Sequence, residues 1–309
     1  RTNDAVAAKW INQLVNSFVG AVLISNAVAI GQYLDLSYFW SMRDFSITDY
    51  NNLVNLAIHE KHRPVGMASN SVELGYHTVM AISFLAFKTQ NKLNTACMLW
   101  LLLGQIACEN RSAIATIIIF GLIFLKVRWS PIIKPIFIFC VSVIIAYFGS
   151  QRLTNIDSGM ISKIYLIYFG IIYVVQNPFG TGLLLTDFLE FRDKYDFNLI
   201  TGDAQIFNEL SLYTPHNQLL TTMIIYGFLG LFALFYIHFY VHRKTINYEG
   251  EHTKFIKAFS IMFILYFVNS MVHNAGIFVM DPTIWYFIPL FEFFVRHKSS
   301  SHFIRRKRL

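Results

Sequence analysis

Apolar residues fall in long runs along this chain, with polar residues clustered between them. The runs cover 10–31, 72–88, 93–108, 112–127, 131–149, 217–241, 255–273 and 275–295. A helix of about 20 apolar residues crosses a hydrocarbon core of roughly 30 Å. The pattern therefore predicts an all-α integral membrane protein, a polytopic helical bundle of about eight spans. The first run is the weakest, since it carries Asn12, Gln13, Asn16 and Asn26, and the two runs flanking residue 110 are short. Between the last two, either His273-Asn274 or Asp281-Pro282 marks the turn.

Two longer polar stretches, 32–71 and 150–215, are read as outward loops. With residues 1–9 in the cytoplasm and one crossing per run, the inner side collects Lys88, Lys92, Lys126, Arg128, Arg243, Lys244 and the terminal Arg305, Arg306, Lys307 and Arg308. That is the bias of the positive-inside rule, with both termini cytoplasmic. The apolar stretch 164–175 would reverse the later half if it crossed. At 1.5 Å per residue it reaches only about 18 Å, so it is read as an interfacial or re-entrant helix. No internal repeat or low-complexity linker divides the chain, and residues 1–309 are read as a single membrane domain.

Composition agrees: 55% of the 309 residues are hydrophobic and 14% charged, against about 25% charged in soluble domains. The net charge of +7 is concentrated beside spans, which suits anionic lipid headgroups rather than nucleic acid. Cys97, Cys108 and Cys140 lie inside apolar runs and are expected as small buried hydrophobes. No Cys or His spacing resembles a zinc site, and neither a metal nor a cofactor is expected.

Candidate chemistry lies at the ends of runs. Pro215-His216-Asn217 stands where the second loop enters a span, and Pro suits a helix start. An imidazole there can take a proton from an incoming hydroxyl near neutral pH; the alternative is a boundary histidine that only hydrogen-bonds its neighbours. Gly227 and Gly230 share a face of the following helix, where close packing is the expected role. Glu109-Asn110-Arg111-Ser112 sits between two short runs, so Arg111 lies near the outer headgroup level. A charge at that depth is costly, which leaves a structural pair with Glu109 or a guanidinium held for a phosphate. Arg63 precedes Pro64-Val65-Gly66 shortly before a span. Asn177-Pro178-Phe179-Gly180-Thr181-Gly182 is a turn by composition, without the Lys-Ser/Thr of a nucleotide loop. His77, His238 and His273 receive no role.

In this order the pieces resemble the catalytic portion of the O-antigen ligase and polymerase superfamily. Its members carry a Ser-Arg-Gly-like step at the outer end of a span, a Pro-x-x-Gly-x-Gly turn in a large periplasmic loop, and a His-Asn or His-Ser start to the next span. Asn110-Arg111-Ser112, Pro178 to Gly182, and His216-Asn217 with Gly227 and Gly230 are similar to these, and Arg63-Pro64-Val65-Gly66 is similar to the family's Arg-x-x-Gly segment. The match covers about residues 63–241, more loosely to 295. Asn110 stands where the family commonly has Ser, and Lys163 where it has Arg before the turn. The family tends towards twelve spans, which would make this chain an N-terminally truncated 10–12-span protein.

The resemblance implies a membrane glycosyltransferase of the bacterial inner membrane, metal-independent and inverting. It would transfer glycan from undecaprenyl diphosphate at the periplasmic face to another lipid-linked glycan or to lipid A–core, in lipopolysaccharide biosynthesis. Arg63, Arg111 and Lys163 would hold the diphosphate, His216 would act as base, and Asn217 would support it. Membrane lipids and other polysaccharide-assembly proteins are the remaining expected partners. Ligase and polymerase share these motifs. The competing readings are a transporter or flippase for polyprenyl-linked sugars and a structural membrane subunit.

Overall fold

The computed structural model describes residues 2–39, 64–68, 70–87, 92–128, 158–182, 186–194, 215, 217–248, 252–271 and 283–306. Among these residues the regular structure is all helical. In chain order the helices are α1 (Thr2–Tyr33), α2 (Ser71–Phe87), α3 (Lys92–Ala107), α4 (Arg111–Arg128), α5 (Ser158–Gln176), α6 (Thr186–Asp193), α7 (Gln218–Ile246), α8 (Thr253–Ser270) and α9 (Thr283–Arg306). Two of them, α1 over Lys9–Tyr33 and α7, are long and apolar enough to cross a membrane. Ser71–Phe87 and Tyr165–Gln176 are apolar but shorter. The expected run 131–149 lies outside the described residues.

Three boundaries differ from the sequence expectation. The run 10–31, which its amides mark as weakest, belongs to the longest helix, of 32 residues. The last helix begins at Thr283, which fits the Asp281-Pro282 alternative for the turn, and continues past the expected end at 295 to Arg306. The stretch 164–175 is part of a 19-residue helix that starts at Ser158, long enough for about 28 Å. Its length therefore no longer argues against a crossing. It packs against the short α6.

The chain forms two compact units, residues 1–117 with 238–269 and 282–309, and residues 118–237 with 270–281. In the first, α1, α2 and α3 pack together around a polar knot. Asn26 Nδ2 donates to Val22 O at 2.8 Å and to Thr78 Oγ1 at 3.0 Å. Gln105 Nε2 donates to Asn26 Oδ1 at 3.0 Å and to Thr78 Oγ1 at 2.9 Å. All three side chains are fully buried, so each bond replaces one that water cannot supply. Gly104 lets α3 approach, because a Cβ there would collide with Asn26. This is why α1 accommodates an amide in an apolar run.

Aromatic packing ties α2 to α8 and α9 in the same unit. Phe84 meets Phe259 at 5.3 Å and Phe287 at 5.4 Å between ring centroids, and Tyr76 lies 4.8 Å from Tyr266. Such tilted and edge-on pairs add about 0.5–1.5 kcal/mol each beyond the area they bury. His77 Nε2 bonds to Thr283 Oγ1 at 3.1 Å, an interhelical link. In the second unit, Leu166, Phe169, Tyr173 and Val174 of α5 form one cluster with Phe188 of α6 and Leu220 and Ile224 of α7.

Candidate functional site

The turn after α5 is built from its own residues. Asn177 closes α5 through its backbone N–H and its Nδ2, both donating to Tyr173 O, at 2.8 and 3.2 Å. Pro178 cannot continue a helix, and Gly180 N donates back to Asn177 O at 3.1 Å. Gly180 and Gly182 take φ of 79° and 85°, a region that favours glycine. Phe179 at the tip is 86% exposed.

This turn docks into a break in α7. Gly227, at φ 63° and ψ −161°, is not helical and divides α7 into 218–226 and 228–246. The break frees the carbonyls of Ile224 and Ile225, which accept from Thr181 N and Gly182 N at 2.9 Å each. Phe228 N returns a bond to Pro178 O at 3.0 Å, and Thr181 Oγ1 adds a second donor to Ile224 O at 3.1 Å. The two backbones meet without side chains between them: a Cβ on Gly180 would lie 2.4 Å from Gly227 N, and one on Gly227 would lie 2.4 Å from the carbonyl carbon of Phe179. The sequence reading assigned Gly227 to helix packing. Its role is instead a backbone break that receives the turn, so the segments 178–182 and 224–228, distant in sequence, form one joint.

Tyr173 stands beside this joint with its ring against Phe188 and Phe191.

The first turn of α7 is held by its cap. Asn217 Oδ1 accepts from Leu220 N at 3.1 Å, as an N-cap side chain does, while its Nδ2 donates to Met271 O at 3.1 Å. Thr221 Oγ1 donates to Pro215 O at 2.9 Å. Ser270 donates to Gln218 Oε1. Gln218 and Thr222 are fully buried one turn apart, and Gln218 Nε2 and Thr222 Oγ1 have no partner among the described residues. Asn217 thus caps α7; His216 lies outside the described residues.

Of the proposed cations, Arg63 also lies outside the described residues, but Val65, Gly66 and Met67 shortly after it are clamped. Gln32 Oε1 accepts from Val65 N and Gly66 N at 2.9 Å each, its Nε2 donates to Gly66 O at 3.2 Å, and Ser25 Oγ accepts from Met67 N at 2.9 Å. Arg111 is the first residue of α4, and only its backbone is described. Asn110 caps that helix, with Oδ1 accepting from Ala113 N at 3.2 Å and from Ser112 Oγ at 2.9 Å, while Nδ2 donates to Ser71 O. Asn110 therefore caps α4 and also ties it to α2. Glu109 takes φ 50° to make the tight connection. Whether it pairs with Arg111 rests on a side chain outside the described ones. Lys163 lies in the first half of α5, again with only its backbone described.

The segments carrying Arg63 and Arg111 belong to the first unit, and those carrying Lys163 and His216 to the second. Among the described residues no three His, Cys, Asp or Glu side chains gather as metal ligands would. Cys97 and Cys108 are free thiols, the first partly and the second fully buried; Cys140 lies outside the described residues. Comparison with protein-family models, curated proteins and solved structures finds no match to this chain.

Proposed function

We propose that this chain is a membrane-embedded glycosyltransferase of the O-antigen ligase or polymerase type, a helical bundle of about eight spans working at the outer face of the bacterial inner membrane. Its donor is a glycan on undecaprenyl diphosphate, and its acceptor is a second lipid-linked glycan or lipid A–core. The observation that carries this reading is the joint between Pro178–Gly182 and Ile224–Phe228. Two motif segments linked by the resemblance alone are interlocked, which gives a physical reason for glycines at 180, 182 and 227. A third is held at Val65 and Gly66 through the backbone by Gln32, and a fourth is capped by Asn110.

Chemically, displacement at an anomeric carbon with a diphosphate leaving group needs fixed cations for the developing charge and a base for the acceptor hydroxyl. Arg63, Arg111 and Lys163 are assigned the first task and His216 the second. Each sits within a few residues of a clamped or capped segment, except Lys163, which is carried by α5. Rigid support of this kind keeps the reorganisation cost of a charged site low.

The transporter reading draws on the broken α7, since discontinuous helices often expose carbonyls for ions. Here Ile224 O and Ile225 O are already occupied by the N–H groups of Thr181 and Gly182. The deciding experiment is His216→Ala, with surface polysaccharide read as a gel profile. Loss of elongated or attached glycan is expected while the protein still inserts in the membrane. A normal ladder would remove His216 from the mechanism.

A further inference from the structure

The exposure of α7 changes abruptly at Gly227. No residue of 218–226 is exposed, and Leu220, Ile224 and Ile225 are in the core. After the break, Phe228, Leu229, Phe232, Phe235, Tyr236 and Phe239 are all exposed, with Leu229 at 75% and Phe232 at 67%. Counted from Phe228, the others follow at one, four, seven, eight and eleven residues, which puts them on a single helix face. Among the described residues that face is apolar, continuous and largely exposed.

Length and charge identify what covers it. The segment 228–246 rises about 28 Å at 1.5 Å per residue, close to the roughly 30 Å of hydrocarbon. Its far end carries Arg243 and Lys244 in the last turn, with Lys244 Nζ 5.3 Å over the Tyr240 ring. Aromatic rings and cations of this sort belong at the headgroup level. At the near end stand polar backbone groups and the charged α6. Asp187 and Glu190 are exposed on that eight-residue helix, and it packs on α5 beside Tyr173. Those carboxylates are costly in hydrocarbon.

We propose that one edge of the hydrocarbon meets α7 at Gly227: lipid covers the exposed face of 228–246, while α6, the turn 177–182 and residues 218–226 stand outside it. Phe179, exposed at the tip of the docked turn, then rests at the headgroup boundary. Asn217 lies at most about 15 Å beyond that boundary. The inference rests on the membrane reading above and deepens it. A diphosphate in the headgroup layer would face the turn.

Single substitutions Phe179→Cys, Phe232→Cys and Tyr236→Cys in the full chain test the placement. Vesicles of both orientations are treated with a membrane-impermeant maleimide, and labelling is read by site-resolved mass spectrometry, which separates the native cysteines. All three native side chains are exposed, so the protein itself does not mask the probes. Phe179→Cys should label at least about tenfold faster than the other two, because a thiol in hydrocarbon forms little thiolate. Protection of Phe179→Cys equal to that of Phe232→Cys would overturn the proposal, since the turn would then be immersed. Fast labelling at all three would overturn it as well, because no lipid would cover the face. Oxidative cross-linking of Phe232→Cys or Tyr236→Cys between two chains would assign the face to a second copy and also refute it. Labelling of Phe179→Cys from the cytoplasmic side alone would keep the boundary but sink the outward-facing transferase.

Discussion

Replacing Gly227 by alanine attacks the joint at its tightest point. The backbone there, φ 63° and ψ −161°, lies in a region open essentially to glycine alone, and an alanine held in it costs about 1–3 kcal/mol. The new Cβ would also lie 2.4 Å from both the Phe179 carbonyl carbon and Pro178 O, neither of which can swing aside as a side chain would. Relief requires the turn to leave, forfeiting the bonds from Thr181 N, Gly182 N and Phe228 N, each worth about 1 kcal/mol net. A shift of roughly 3 kcal/mol towards the undocked turn corresponds to about a hundredfold in its population. Amide hydrogen exchange by mass spectrometry over 177–182 and 224–228 measures that population, since those three N–H groups are protected only while the joint is closed. Gly182→Ala separates strain from collision: its φ is 85° but nothing lies within 4 Å of the added Cβ, so about tenfold faster exchange is expected. Gly20→Ala, also with open space around it, should change nothing in these peptides. Protection in Gly227→Ala within threefold of the parent would refute the reasoning, as would equal effects at 182 and 227.

Other consequences follow from the clamps. Asn110→Ala should cost about 1–2 kcal/mol through the lost cap, seen as a lower unfolding temperature in detergent, while Asn110→Ser should recover most of it; equal losses would show that the tie to Ser71 outweighs the cap. Gln32→Leu leaves the N–H groups of Val65 and Gly66 buried without an acceptor, about 3 kcal/mol in all, and protease cleavage near residue 64 should rise; an unchanged digestion pattern would argue against the clamp. Arg111→Lys keeps the charge but loses the planar fork, so transfer should fall at least about tenfold with normal insertion. Full activity in that variant would exclude bidentate diphosphate binding.

Much of the helical layout was legible in the runs. The stretches 72–88, 93–108 and 112–127 correspond to α2, α3 and α4 within one or two residues, because a long apolar run bounded by polar residues has few other ways to satisfy its backbone. The cap at Asn110 was also legible in principle, as Asn before a run with Ser two residues on, but it was read only as a departure from a family pattern. The clamp by Gln32 carried no local signal. An amide at the end of an apolar run looks the same whether it faces water or grips a backbone segment more than thirty residues away.

Position along the chain determined that this protein is helical, that its apolar runs need burial or lipid, and that its glycines at 180 and 182 make a turn. Only the tertiary structure decided that Gly227 is a break rather than a packing contact. The conformation of that residue is set by a turn some 45 residues earlier pressing on it, and no periodicity of α7 itself encodes such a partner. Hydrophobic pattern reports the free energy of each residue leaving water, which is local and additive. A joint between two backbones depends on which carbonyls are left open when distant segments meet, and that quantity exists only once the chain has folded.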